Sequence, residues 1–326
     1  MVTRTFLIAA SMGLAICACG DDTADGLGGG GSTPSTGGSA QGGEGPASGG
    51  GGTSDDGGAA PGGGGGDGGS APGSCDLPNF PNETCTGVPA GTELTVVEGD
   101  MVIDTEGEIV EGLDIRGCVN IEAPGVVIRN SKITCNSFLA VASYANAYEG
   151  EAALLEDVEI SCDDQQGTAV GDFNVTVRRA NIHSCENGFD ADGNLTIEDS
   201  FIHDLLPYNP ETDPHVDGIQ ITPVGNNITI RHNTILAGID GNAAIISPDV
   251  ENGIVSNILI QDNLVAGGGW TIYCQQNGSG DNYRIVGNHF STMFHDTVGD
   301  YGPWTECEDE TEVTGNVIHE TGAPLP

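Results

Sequence analysis

Hydrophobic residues in this chain recur in short blocks, not along helical faces. "VVIRNSKITC" begins at Val126, "ALLEDVEISC" at Ala153, "VTVRRANIHS" at Val175 and "LTIEDSFIHD" at Leu195. "ITIRHNTILA" follows at Ile228, "ILIQDNLVAG" at Ile258, "YRIVGNHFST" at Tyr283 and "TEVTGNVIHE" at Thr311. Each block has an apolar residue, two polar or small positions, a turn-like residue, one more position, and an apolar residue again. The third-position apolar residues are Ile128, Leu155, Val177, Ile197, Ile230, Ile260 and Ile285, spaced 27, 22, 20, 33, 30 and 25 residues apart. Self-similarity at that period marks a stacked repeat. No window sustains a 3.6-residue period, and the alternation inside each block is the strand period. A regular Leu-x-x-Leu-x-Leu frame is absent. The pattern predicts an all-β chain, a single right-handed parallel β-helix whose coils each wrap once around an Ile- and Val-filled interior.

That register places other residues. After the third-position apolars come Arg129, Glu156, Arg178, Glu198, Arg231 and Gln261. Coils about 4.8 Å apart would make this column an alternating-charge ladder on the outside. Three of the six arginines between Cys75 and Pro326 are then structural, and of the rest only Arg179 lies in the His- and Asp-rich region. A second outward column predicts His183 and His203 as neighbours one coil apart. In "CENGFDADGN", Asp190 and Asp192 alternate with Phe189 and Ala191, so both face the same way. After His203 comes the longest insertion, "DLLPYNPETDPHVDGIQITPVGN". Long loops on a rigid scaffold commonly carry binding and chemistry. Asp217 aligns with Asn187 of the previous coil and Asn242 of the next, and Gln220 aligns with Asp190.

The N-terminus changes the picture of where the domain sits. Residues 1–19 hold one basic residue, the apolar run "FLIAASMGLAICA" and then Cys19, and they read as a secretory signal. "ICAC" resembles the lipobox of bacterial lipoproteins, which implies cleavage before Cys19 and lipid attachment on it. Residues 20–74 are almost all Gly, Ser, Ala, Asp, Thr and Pro, with one large apolar residue, Leu27, and predict a flexible tether. Residues 75–326 form the β-helix domain. Its eight cysteines, in an exported chain, predict disulfides between near neighbours, beginning with Cys75–Cys85 and Cys274–Cys307. The expected location is therefore the cell surface or outer membrane, with the lipid as the only membrane contact and the domain a monomer.

Charge narrows the partners. The chain has 48 Asp and Glu against 8 Lys and Arg, a formal net charge of -40. A nucleic-acid backbone would be repelled. A polyuronate would be repelled too unless a divalent cation bridges the two, whereas a neutral glycan needs no bridge.

The candidate chemistry collects at "HVDGIQ". His183, His203, His215 and Asp217 are candidate acids and bases, with Asp240 one coil later. Gln220, Arg179 and Tyr208 are candidate substrate contacts. Asp190 and Asp192 either form a shallow calcium site or are the solvated carboxylates of a polar turn. Trp270, Tyr273, Tyr301 and Trp304 offer faces on which sugars stack.

The coil repetition resembles the pectate-lyase-like superfamily of secreted bacterial β-helix proteins, over roughly Thr92 to Pro326. "HVDGI" also resembles the "NTDGI" motif of polygalacturonases, and "AGIDGNAAI" with Asp240 is similar to their paired-aspartate motif, with Ile239 in place of one aspartate. The resemblance implies action on an extracellular polysaccharide. Uronan β-elimination is the first expectation, and it needs a neutraliser for the uronate carboxyl, a base for the C5 proton and an acid for the leaving oxygen. An epimerase would use the same groups. The alternatives are a non-catalytic glycan-binding, adhesive or structural surface lipoprotein, and a glycoside hydrolase with two carboxylates.

Overall fold

The computed structural model describes residues 75–143, 150–163, 167–207, 215–247, 255–274, 282–307 and 311–325. The signal, Cys19, the tether and Tyr208 lie outside these. Every regular element among the described residues is a β-strand, and the strands pair in parallel into three ladders. The first ladder runs through Leu113–Arg116, Lys132–Thr134, Glu159–Ser161, Asn181–His183, Phe201–Ile202, Thr234–Gly238, Leu264–Gly267 and His289–Ser291. The second contains Val119–Ile121, Leu139–Ser143, Ala243–Ile246, Trp270–Tyr273 and Gly302–Thr305. The third contains Val127–Arg129, Ala153–Glu156, Ser256–Gln261 and Tyr283–Val286. Three long strands, Thr168–Arg178, Asn187–Glu198 and Asp217–Arg231, span both the second and third ladders. The chain visits the ladders in turn and adds one strand to each, an arrangement compatible with a parallel β-helix.

Each ten-residue block of the sequence is a third-ladder strand, a corner and a first-ladder strand. The corner turns at one residue in the left-handed region: Asn130, Asp157, Arg179, Asp199, His232 and Asp262 have φ of 49°, 54°, 51°, 53°, 52° and 54° respectively, and Gly287 and Gly315 follow at 67° and 70°. Asn and Asp tolerate this conformation best, which accounts for their recurrence in the blocks. The third-position apolar residues, Ile128 through Ile285, are all fully buried.

The position after each corner is also buried, and in the C-terminal coils it is asparagine. Asn233, Asn263, Asn288 and Asn316 stack into an internal ladder. Asn263 Nδ2 donates to the Ile230 carbonyl at 2.9 Å, and its Oδ1 accepts from the Asn233 backbone N–H and side-chain amide at 2.9 and 3.0 Å. Asn288 repeats the pattern on Ile260 and Asn263, and Asn316 on Ile285 and Asn288. Ser200 begins the run, donating its N–H to Asn233 Oδ1 at 2.9 Å.

The outer charge column is present in the expected register: Arg129 beside Glu156, Glu156 beside Arg178, then Glu198, Arg231 and Gln261. Glu198 takes Arg178 at 2.6 Å and Arg231 at 2.5 Å, and Arg178 reaches Glu156 at 3.3 Å. All eight domain cysteines pair with near neighbours: Cys75–Cys85, Cys118–Cys135, Cys162–Cys185 and Cys274–Cys307.

Truncating Asn263 to alanine orphans the Asn233 backbone N–H, takes one of two partners from the Asn233 side-chain amide and removes the hydrogen bond to the Ile230 carbonyl. At about 1–3 kcal/mol for a buried unsatisfied group, the variant should lose about 3 kcal/mol of stability in urea unfolding. A loss under about 0.5 kcal/mol, the range of ordinary surface substitutions, would show that the ladder is not a stabilising element.

Candidate functional site

The three long strands bring the candidate residues together on the second ladder. Thr168, Asn187 and Asp217 share one column, and Gly171, Asp190 and Gln220 another. The expected pairing of Asp217 with Asn187 and of Gln220 with Asp190 is therefore present. The expected pairing of Asp217 with Asn242 is off by one: its register partner is Ala243. Asn242 still reaches Asp217 by its side chain, donating from Nδ2 to Oδ1 at 3.1 Å.

Asp217 is fully buried. Its backbone N–H donates to Asn187 Oδ1 at 3.0 Å. Asn187 in turn donates from Nδ2 to Gln220 Oε1 at 3.3 Å, which leaves the Gln220 NH2 group to point elsewhere. His215 Nε2 stands 3.2 Å from Asp217 Oδ2, within ion-pair distance although not aligned as a hydrogen bond. The Asn242 amide sits 3.4 Å from the same ring nitrogen. His215 itself is partly accessible, so the imidazole lies between the buried carboxyl and solvent.

Beside this pair stands a group of crowded aspartates. Asp172 is in the left-handed region (φ 79°) where the strand register shifts, and Asp192 follows Ala191 at the matching shift in the next strand. Asp190 Oδ2 accepts from the Thr168 hydroxyl at 3.0 Å. Burial pushes Asp217 up to about 7, with His215 and the Asn242 amide pulling the other way. Burial raises Asp190 to about 6, opposed by the Thr168 hydrogen bond and reinforced by Asp192. Asp172 rises to about 6 through burial and then through its neighbours Asp192 and Asp190. Burial also raises Asp192.

The carboxyls that sequence singled out for calcium, Asp190 and Asp192, thus lie on one face, but among the described residues no three His, Cys, Asp or Glu side chains converge as a metal site.

His183 and His203 are neighbours as expected, with ring centroids 5.6 Å apart. They belong to the first ladder and its exit, however, not to the second. His183 approaches Glu159 at 3.6 Å, and His203 is held between Asp204 and Asn181 at 2.7 and 2.8 Å while stacking on Phe201. Glu159, held by His183 and by Lys132 at 2.5 Å, sits at about 2. Arg179 occupies a corner, with its guanidinium on Asp157 at 2.7 Å and Glu156 at 2.9 Å. Asp240 is exposed on the loop before Asn242 and lines a cavity of about 520 Å³ with Leu205, Val216 and Ala237. A larger cavity, about 1010 Å³, lies near the N-terminal end of the stack, around Arg116, Lys132 and Phe138. It holds none of the perturbed carboxyls, so volume and chemistry point to different places, and the perturbed groups locate the candidate site.

Sequence reasoning missed Thr168, Asp172 and the bonding role of Asn187. Thr168 and Asp172 sit in "TAVGDF", whose match to "NGFDAD" was the available signal.

Asp217, Asp190 and Asp172 each have a folded pKa above the unfolded carboxylate value. The folded chain therefore holds extra protons between about pH 4 and pH 7, and stability is greatest below that window and falls as pH rises through it. The melting temperature should drop from about pH 4.5 to pH 7.5, and Asp217→Asn should flatten that drop and raise the melting temperature at the upper end. A wild-type slope in Asp217→Asn would show that Asp217 is not the titrating group. In comparisons with known proteins, no protein-family model, no curated protein and no solved structure matches this chain.

Proposed function

We propose that the protein is an exported, lipid-anchored, right-handed parallel β-helix enzyme that cleaves an extracellular acidic polysaccharide by β-elimination. The observation that carries this reading is the accessible His215 imidazole backed by the fully buried Asp217. A carboxyl with no exposed surface cannot touch a sugar, so Asp217 is a positioning residue. Ionised, it holds the Nε2 side of the ring and leaves Nδ1 as the base for the C5 proton.

The remaining requirements have matching groups nearby. Gln220, its carbonyl tied to Asn187, presents its NH2 to a uronate carboxylate. Asp190 and Asp172, raised to about 6, each keep roughly a tenth of their protons near pH 7, where Asp217 is about half ionised, and that protonated fraction can donate to the carboxylate or to the leaving oxygen. The sequence expectation of calcium lacks a converging donor set among the described residues, so no step is assigned to it.

A hydrolase is the second reading. It is favoured by the crowding of Asp172, Asp190 and Asp192, which could divide acid and base roles between them. In that case Asp217 would still act through His215, unlike the exposed aspartate implied by the polygalacturonase-like motif. A surface protein that only binds glycan would need none of these shifted carboxyls.

Incubation with polyuronates should produce the 235 nm absorbance of an unsaturated uronate, and His215→Ala should lower the rate about 10²–10⁴-fold, the usual contribution of a general base. Asp217→Asn should cut kcat and move the alkaline-going limb of the pH profile. Reducing ends without absorbance would support the hydrolase, and neither signal on any glycan would overturn the enzymatic reading.

A further inference from the structure

The outward column that holds Asp190 and Gln220 continues beyond the candidate site. Gln220 pairs with Ile246, Ile246 with Tyr273, and Tyr273 with Thr305. Ile246 and Tyr273 are partly accessible, so this side of the face stays open. In the opposite direction, the same column passes Gly171 and Ala142, both buried. Towards Ile246 and Tyr273 a chain molecule lying along the ladder from Gln220 therefore meets partly accessible side chains at each coil.

That path ends at aromatic residues. Trp270 and Tyr301 have ring centroids 6.1 Å apart at 47°. Tyr301 is 67% exposed, among the most exposed large side chains of the described residues. Gly269 sits between them with little cover: the nearest atoms to a Cβ there would be the Tyr273 hydroxyl at 3.3 Å and the Tyr301 ring at 3.4 and 3.5 Å. A glycine at this point keeps the space between the two tyrosines free of side chain. Large exposed aromatic surface beside polar tips is costly in water and suits the apolar face of a pyranose ring.

We propose that Tyr273, Trp270 and Tyr301 form a sugar-stacking subsite two coils beyond Gln220. It rests on the glycan-active reading above for the direction of the chain, although not for the stacking itself. Coils about 4.8 Å apart put Tyr273 about 10 Å from Gln220, roughly two sugar units along a chain. The ligand is therefore a polymer laid along the second ladder, not a mono- or disaccharide. Ile246 supplies an apolar step between the reacting unit and the platform.

Affinity electrophoresis of the full chain through gels containing alginate, polygalacturonate, xylan or a β-glucan reads binding without needing turnover. Cleavage of the same polymers and of their dimers through hexamers is followed in parallel. We expect wild-type retardation on at least one polymer, about a tenfold weaker apparent affinity in Tyr301→Ala and in Tyr273→Ala, and recovery in Tyr301→Phe. Cleavage should rise steeply from trimers to pentamers in the wild type and lose that dependence in Tyr301→Ala. Retardation lost in the tyrosine variants of a protein that cleaves nothing would support the subsite and sink the enzymatic reading. Cleavage present, with both tyrosine variants indistinguishable from wild type in binding and chain-length dependence, would overturn the subsite and leave the enzymatic reading standing. A wild-type protein retarded by none of the polymers overturns the subsite.

Discussion

A stack of single strands has to turn sharply at every coil, and each turn leaves backbone amides facing inward where water cannot reach them. The buried asparagines answer that constraint. Asn233, Asn263, Asn288 and Asn316 each accept from the preceding coil's backbone N–H and donate to a strand carbonyl at about the same distances. An unmet buried amide costs about 1–3 kcal/mol, comparable to burying a large aliphatic side chain. The left-handed residue before each asparagine is what aims it inward. With the corners satisfied, the interior needs only Ile and Val at fixed intervals, and neighbouring coils hold a constant register.

The same constancy explains the outer charge column and the site. Once the coils stack in register, Glu198 is obliged to lie between Arg178 and Arg231, and Asp217 beside Asn187. The first is a good arrangement for stability, because the buried Glu198 carboxylate is met by two guanidinium groups. The second is not: it puts a carboxyl where none of its surface meets water, and it sets Asp190, Asp172 and Asp192 near one another. Burial raises these groups toward neutrality, a state that lowers stability as pH rises. Such a cost on one face of an otherwise regular stack is the usual mark of a working site.

The site also depends on irregularity. Two register shifts, near Asp172 and between Ala191 and Gly193, kink the long strands where the aspartates emerge. A shift of this kind re-aims side chains and is common beside functional sites. The His215 corner follows the longest insertion of the chain, so the imidazole arrives from a segment that the repeat does not constrain.

Much of the fold was legible because it follows from period. The third-position apolars, the alternating charges and the His183–His203 contact all come from counting along the blocks, and the near-neighbour disulfides from an even cysteine count in an exported chain. Those blocks cover only the third and first ladders. The second ladder, from Leu139–Ser143 through Trp270–Tyr273, has no repeated signature, and it carries the candidate site. Sequence could align Gln220 with Asp190 because "GFD" and "GIQ" match, but it misplaced Asn242 by one residue and grouped His183 and His203 with Asp217 as candidate acids and bases. It had no means to see that the first two lie on a different ladder. Composition and period determine what is buried and what stacks, because those depend on spacing along the chain. Which outward residues meet, how deeply Asp217 is enclosed, and which carboxyls shift depend on how far each loop carries the chain around a corner, and only the assembled coils decide that.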